Sequence, residues 1–540
     1  MNRLPSQIVP PLLGVLLLAL SGCGTNPASS IANNPATGTN ANSKPADVLT
    51  WRNDPSRTGQ NLNETVLTPS NVNVSTFGKK FTFTVDGYVY GQPLVVTNQS
   101  ISGAKHNVVY VVTANDSVYA FDADGASATP YWQDSLMDAA NGITAVPGAN
   151  LGTGDQWGIT ATPVIDRTRN AMYVVSRVMN TNDGSYHQYI HALDLGTGSE
   201  HTGQPVEVIA CVPGTGYDAS NGQVCFNPWR ENNRVSLALV NNVVYAGWAS
   251  VNDDVDPYHG WVLGYDADTL NLVATFNSTP NGSEGGFWMA GAAPACDSNG
   301  NLYLVSGNGT FDASASNYGQ SAVRLTYANG TFTPTDSFTP FNWAALDVPD
   351  LDVGSGGALL LPDNTSSHPH QLTFSGKEGN IFLVDRDNMG KFQSISDSQI
   401  VQEIAGAFPN GIFSTPAYWN GNLYYVGNGD VIKQYAWTNG LIRSTPVAAG
   451  ISQYSFPGAT PAISANGTAN AIVWTMERTS ANQSILHAYD ATNVADELYN
   501  SVQNADRDDA GLAVKFTVPT IANGKVYIGT IYKLEVYGLL

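Results

Sequence analysis

A short module recurs from Gly91 to the C-terminus, and it constrains the fold more than any other feature of the chain. It reads as a small or proline residue, an apolar run, a tight polar turn, a second apolar run rich in Val and Tyr, and a further strand. "GQPLVV", "NVVYVVT" and "SVYAFDADG" (91–125) form the first copy, and "GITATPVID", "AMYVVSR" and "YIHALDLGTG" (158–198) the second. "STPAYWNGNLYYVGNGDVIKQYAW" (414–437) and the terminal "KFTVPTIANGKVYIGTIYKLEVYGLL" (515–540) repeat it again. Eight copies can be traced, each of about 60 residues, enough for four short strands with turns. Asn-Gly, Asp-Gly and Gly-Asn separate the apolar runs, supplying the positive φ that tight hairpins require.

A four-stranded sheet cannot cover both of its faces, so neighbouring copies must stack and the array must close. The fold class read from the sequence is therefore all-β: a single β-propeller of four-stranded blades over residues 47–540. Eight blades are expected, with seven as the alternative because the fifth copy is degenerate. Proline supports this. Pro93, Pro163, Pro294, Pro416, Pro461 and Pro519 share one position in the first strand of six copies, while the third copy has Leu237 there and the fifth a glycine, Gly357. A proline cannot donate to a sheet ladder, so that strand should be an edge lining a central channel. Ring closure needs a strand from the other end of the chain; "DVLTWRND" (47–54) and "KKFTFTV" (79–85) are the candidates.

The ends of the third strands carry a family mark. "HALDLGTG" has Ala192, Asp194, Thr197 and Gly198; "YAFDADG" keeps Ala120 and Asp122, "LGYDADT" keeps Asp266 and Thr269, "HAYDATN" keeps Ala488 and Asp490, and "LVDRDNMG" keeps Asp385. This resembles the repeat of propellers that bind pyrroloquinoline quinone, the quinoprotein alcohol dehydrogenase-like group, and their non-catalytic relatives. The resemblance implies an eight-bladed fold in which the Asp and Thr stabilise a turn between outer strands. The group's repeat continues to a Lys and a blade-locking Trp, and its alcohol dehydrogenases carry adjacent cysteines; this chain lacks that continuation almost everywhere, and no two of its cysteines are adjacent. Longer stretches such as "PYHGWVLGYDADTL" are similar to exported proteins built of the same repeats.

The N-terminus resembles a bacterial lipoprotein precursor. Leu12 to Leu20 is an apolar run too short to span a bilayer comfortably, and "LALSGC" ends at Cys23. The resemblance implies a signal peptide over 1–22, cleavage before Cys23 and lipidation of that residue. Gly24 after the cysteine points to the outer membrane of the cell envelope. Residues 23–46 are Asn, Ser, Thr, Ala and Pro with almost no bulky apolar side chain, a composition expected of a flexible tether. A net charge of −21 with only 23 Lys and Arg excludes nucleic acid as a partner. Cys211 and Cys225 bracket a Gly-rich loop and are expected to pair in an oxidising compartment, with about 3 kcal/mol from loop closure; Cys296 falls in an apolar strand.

Candidate site residues are those preceding the inner strands, at the expected channel mouth: Tyr90, Trp157, Arg230, Arg234, Trp288, Phe413 and Lys515. Trp157 and Trp288 offer stacking faces, while Arg230, Arg234 and Lys515 suit anionic groups. In "NDDVDPYHGW", Asp253, Asp254 and Asp256 are candidate oxygen ligands for Ca²⁺ and His259 a candidate base. No Ser-His-Asp, zinc or phosphate-loop spacing stands out. Two functions follow as expectations. The first is a membrane-anchored envelope propeller that binds or scaffolds a protein or glycan, its aromatic loops "YWQDSL" and "FNPWRENN" serving as contacts. The second, implied by the resemblance, is a dehydrogenase of alcohols or sugars using pyrroloquinoline quinone and Ca²⁺.

Overall fold

The computed structural model describes residues 46–148, 156–201, 205–252, 256–328 and 330–540. The signal peptide, Cys23 and the tether up to residue 45 lie outside the described residues, as do Asp253 and Asp254. What is described is an eight-bladed propeller.

Each of the first seven blades is built on an antiparallel sheet from a continuous stretch of chain, to which Gln60–Asn61 adds in parallel in blade 7 and Lys391–Phe392 in blade 4. Blade 1 comprises Leu94–Ile101, Ala104–Val112, Ser117–Asp122 and Trp132–Ser135 in that order outward. Blade 2 is built on Val164–Asp166, Ala171–Asn180, Tyr186–Asp194 and Val206–Glu207, and blade 3 on Glu231–Val240, Val243–Ser250, Trp261–Asp266 and Leu272–Asn277. The inner strands of blades 4 to 7 are Ala295–Cys296, Leu359–Leu360, Ala417–Trp419 and Ala462–Asn466.

Blade 8 joins the two ends. Thr520–Ala522 is its inner strand. Lys525–Leu539 pairs first with that strand, Tyr527 opposite Thr520, and then with Phe77–Tyr88, Leu534 opposite Phe83. "KKFTFTV" thus closes the ring.

"DVLTWRND" does something else. It starts a thread that runs once around the inside of the ring in blade order. Val48 pairs with Val95 of blade 1, and Leu49 O accepts from Ile165 N of blade 2 at 2.8 Å. Pro55 O then accepts from Cys296 N of blade 4, Ser56 O from Leu360 N of blade 5, Thr58 O from Tyr418 N of blade 6, and Gly59 O from Ile463 N of blade 7, all at 2.7–2.9 Å. Asn61 Nδ2 ends the circuit on Ile521 O of blade 8 at 2.9 Å.

The proline position now has a physical reason. Amides two residues apart on a strand point the same way. The donors that reach the thread lie two residues after Pro93, Pro163, Pro294, Pro416 and Pro461, so each proline stands where an N–H would otherwise face the channel unpaired. In blade 5 the pairing of Leu359 with Thr373 puts Ala358, not Gly357, at the equivalent position. Gly357 is one residue earlier, where a Cβ would lie 2.4 Å from Ala292 Cβ and 2.5 Å from Thr415 Oγ1 of the flanking blades.

Blades bury their apolar faces against each other. Val109, Tyr110, Phe121, Met172, Val174 and Tyr527 form one core across blades 8, 1 and 2. Four second-strand tyrosines also fasten one blade to the next. Tyr110 Oη donates to Leu195 O, Tyr173 to Ala267 O, Tyr424 to Ala491 O and Tyr527 to Ala123 O, at 2.6–3.0 Å. Each acceptor directly follows a third-strand aspartate. Those aspartates hold the turn: Thr197, Thr269 and Thr492 hydroxyls donate to Asp194, Asp266 and Asp490 at 2.6–3.0 Å. Tyrosine thus makes the link between blades that a tryptophan makes in the resembled repeat.

Two arginines hold the thread at its centre. Arg52 is fully buried and donates to Thr415 O at 2.7 Å and to Thr58 O at 3.2 Å. Arg57 donates through Nε to Pro294 O at 2.9 Å and through Nη1 to Trp51 O at 3.0 Å. Burial pulls the Arg52 guanidinium down to about 9, with Asp54 opposing the shift. Arg52→Met leaves buried carbonyls without donors and should cost about 2–5 kcal/mol of stability in urea denaturation. Lys525→Met, which removes an ion pair with the half-exposed Asp124, should cost no more than about 1 kcal/mol. Equal losses would contradict the role given to Arg52.

Candidate functional site

The inner strands run from one face of the ring toward the thread, and the residues preceding them surround the mouth on that face. A cavity of about 530 Å³ opens there. Its apolar wall is Trp288, Phe413, Phe456 and Phe516; its polar lining includes Arg234, Lys377, Asp350, Asp352 and Asn410. Adjoining it at Arg234 and Phe516, a niche of about 20 Å³ is also bounded by Tyr90, Lys515 and, from the thread, Trp51. A cavity of this size, mostly apolar with a few convergent polar groups, suits a small organic ligand.

The wall is preorganised. Arg234 lies 5.9 Å from the Trp288 ring and 5.2 Å from that of Phe516. Lys515 Nζ is 5.5 Å from the ring of Phe456, which meets Phe413 edge-on at 5.1 Å. Left-handed backbone collects here too: Phe516 at φ 67°, Ala290 at 52° and Asp350 at 55° all line the cavity. For a residue as bulky as Phe such a conformation is strained, and it persists only where the surroundings impose it.

The far bank comes from the blade 4–5 connection. Lys377 Nζ contacts Asp352 Oδ1 at 2.5 Å and also pairs with Asp350. Burial opposes charge on Lys377, but the two carboxylates outweigh it and hold the ammonium above the usual lysine range.

The residues expected at the mouth divide into two groups. Arg234, Trp288 and Phe413 line the cavity, and Tyr90 and Lys515 the niche. Trp157 is buried against Val146 and Val251, with Arg177 Cζ 6.0 Å from its ring. Arg230 donates to Pro257 O at 2.8 Å. His259 is fully buried in blade 3, between Asp218 at 2.9 Å and the Thr279 hydroxyl at 2.9 Å. Asp256 accepts from the Ser283 hydroxyl. Neither lines the cavity. The disulfide joins Cys211 to Cys225, and Cys296 is buried as a free thiol. Of the aromatic loops, Trp132 donates to Leu195 O of blade 2 at 3.1 Å, and Trp229 packs 4.9 Å from Tyr186.

Ser176, His191 and Glu200 form a chain that the sequence did not reveal: Ser176 Oγ lies 2.7 Å from His191 Nε2, and His191 Nδ1 lies 2.5 Å from Glu200. The order is that of a nucleophilic triad, but Ser176 is fully buried in the second strand of blade 2. It acts as a strut between strands.

The lining can be tested against the cofactor that the resemblance implies. The aromatic wall and the cations fit a planar acid such as a quinone. A Ca²⁺ ion fits less well: among the described residues no group of three or more His, Cys, Asp or Glu could hold a metal, and Lys377 already provides the cation between Asp350 and Asp352.

Among solved structures, the fold is similar to the quinohemoprotein alcohol dehydrogenase ADHIIG of Pseudomonas putida HK5, with TM-score 0.56 and 14% identity over 91% of this chain and 80% of that chain. The quinohemoprotein alcohol dehydrogenase of Comamonas testosteroni is similar at TM-score 0.55 and 15% identity, with the same coverage of both chains. At such identities the likeness is one of fold. No family profile and no curated protein sequence matches the chain.

Blade 7 brings a titratable group close to the mouth. Its buried His487 is held through Nδ1 by Glu497 at 2.6 Å and through Nε2 by Glu477 at 3.1 Å, and Glu477 borders a small niche beside Phe413 and Phe516. Burial pulls the His487 pKa down, but the two glutamates more than compensate, leaving it above the ordinary imidazole value. A group raised on folding stabilises the fold fully below its unfolded pKa and loses that contribution as pH rises through the folded value. Stability from this contact should therefore be complete below about pH 6.5 for as long as Glu497 stays ionised, and decline at higher pH. His487→Gln should flatten that part of a stability–pH curve, and an unchanged curve would contradict the assignment.

Proposed function

We propose that this chain is a lipid-anchored envelope propeller that binds a small planar organic ligand at the mouth of its channel. The observation that carries this reading is the 530 Å³ cavity, with four aromatic side chains on one wall and Arg234 between two of their rings. Strained backbone at Phe516 supports it, because strain of this kind collects at binding sites. The lipobox-like "LALSGC" and the polar stretch that follows support attachment to the outer membrane through Cys23. A small molecule fits this mouth better than the protein or glycan expected from the aromatic loops, since Trp132 and Trp229 are engaged within the ring.

A second reading, a quinone-dependent dehydrogenase, is favoured by the likeness to two quinohemoprotein alcohol dehydrogenases. In it Trp288 would stack on the quinone, and Arg234 and Lys515 would meet its carboxylates. A bound quinone would supply the electron acceptor for oxidation of an alcohol. The four cysteines, at 23, 211, 225 and 296, give no C-x-x-C-H spacing for a covalent haem.

Titration of the purified protein with aromatic acids, including pyrroloquinoline quinone, and with neutral aromatics separates the readings. Binding should quench tryptophan fluorescence, and Trp288→Ala should weaken it about tenfold, the loss of one stacking face. Binding without dye-linked alcohol oxidation supports the first reading; saturable quinone binding with such oxidation supports the second. No binding of any aromatic probe would overturn both.

A further inference from the structure

Large apolar side chains gathered on a surface usually mark a place that something covers. Three connections at the outer rim of blades 4 and 5 gather them. Phe311 stands between the second and third strands of blade 4, and Trp343 opens the short helix Trp343–Asp347 that leads to blade 5. Phe392 lies on Lys391–Phe392, the short strand that blade 5 sends along the outer edge of blade 4. Their rings interlock edge-on, Phe311 lying 5.4 Å from Trp343 and 5.2 Å from Phe392. Phe341 and Phe392 are exposed, Val348 at the end of the helix is 92% exposed, and Ile395 on the Phe392 loop is 87% exposed. None of these six side chains lines the cavity at the mouth.

Carboxylates border the same surface. Asp397 Oδ1 accepts from Phe341 N at 2.8 Å, and Glu378 Oε1 accepts from Asn342 Nδ2 at 2.8 Å. Two acids thus hold the residues that lead into the Trp343 helix. Asn380 Nδ2 donates both to Glu378 at 2.9 Å and to Glu403 at 2.8 Å, which brings the third carboxylate alongside. Burial pushes all three carboxyls above their usual range, and Asp397 adds its repulsion to Glu378 and Glu403. Asn342 Oδ1 is one more acceptor, buried and without a donor. Lys377, next to Glu378 in sequence, is spent on Asp350 and Asp352. Among the described residues none of the three carboxylates enters an ion pair, nor does the exposed Lys391 of the Phe392 loop.

Charge selects the occupant. A second copy of this chain, with 44 acidic against 23 basic residues, is repelled, and so is an anionic lipid surface. Lys and Arg bring donors only, and their stems and charged heads pack on aromatic rings. We infer that the rim of blades 4 and 5 docks a basic amphipathic segment of a partner protein, its apolar side chains on Phe311, Trp343 and Phe392 and a lysine or arginine beside Glu378 and Glu403. This surface is separate from the cavity, and the inference does not depend on what the mouth binds. The aromatic stack supplies the contact area, and the carboxylates select the sign of the partner.

The test uses short fluorescein-labelled peptides and fluorescence anisotropy on the folded full chain. One peptide alternates Lys with Phe or Trp, a second has Glu in place of every Lys, and a third has Ser in place of every aromatic residue. The first should bind saturably, the other two about tenfold more weakly or worse, and added salt should weaken the first. Phe392→Ser should cost that peptide about tenfold and Glu403→Gln about threefold. Asp506→Asn, which removes an exposed acid between blades 7 and 8, should change nothing, and this separates a built surface from general attraction to an acidic protein. Thermal unfolding matching that of the unaltered chain shows that the variants are folded. Failure of the basic aromatic peptide to bind, equal binding of the Glu peptide, or binding insensitive to both Phe392→Ser and Glu403→Gln would overturn the inference. So would saturable binding of Ca²⁺ or of a neutral oligosaccharide that these variants abolish while the peptide does not bind, which would assign the surface to an ion or a glycan.

Discussion

The inner edge of each sheet is the constraint on which this structure depends. Eight inner strands present backbone donors and acceptors to a common channel, and unpaired edges recruit other chains or cost free energy when buried. The chain meets this in two ways. In five blades a proline removes the donor at one position of the inner strand, and a thread laid around the ring accepts the next donor along; in blade 3 Leu237 N donates instead to Thr162 O of blade 2. Both devices act on the same edge, two residues apart. Because the thread follows blade order from blade 1 to blade 8, it ties blades that are far apart in sequence into one ring. One residue of the thread, Trp51, also bounds the niche at the mouth.

The rest of the architecture follows from contacts between neighbouring blades. At four junctions a second-strand tyrosine reaches the carbonyl after the third-strand aspartate of the next blade, and the aspartate shapes the turn that presents that carbonyl. Turn chemistry and blade packing are therefore one device. The wall of the mouth stands on this frame. Its aromatic and cationic side chains precede inner strands whose positions are fixed from both sides, so the site can hold strained backbone such as that of Phe516.

Much of the fold was legible in the sequence because it is written locally. Pro93 and its equivalents mark the edge strand, Asn-Gly and Asp-Gly mark the hairpins, and Asp194 with Thr197 marks the outer turn. "KKFTFTV" was one of two candidates for closure, and its alternating pattern is that of the strand it forms. The thread was not legible, since "DVLTWRNDPSRTGQN" has no regular period and makes its bonds to residues hundreds of positions away. The same applies to half of the site. Arg234, Trp288, Phe413 and Lys515 could be placed because each lies before or in the first residues of an inner strand. Asp350, Asp352 and Phe456 lie on connections whose path only the closed ring defines, and Lys377 lies in a hairpin turn of blade 5. "PDLDVG" and "SGKEGN" carry an acidic and a basic signal, but nothing in them shows that the two meet.

Hydrogen exchange of the inner-strand amides tests the central claim most directly. Ile165, Cys296, Leu360, Tyr418 and Ile463 each donate to the thread. They should exchange as slowly as the amides of the second strands, as a group, and only on global opening. Exchange of these five amides at the rate of exposed loop residues, with the second strands still protected, would show an unfilled channel and contradict the account.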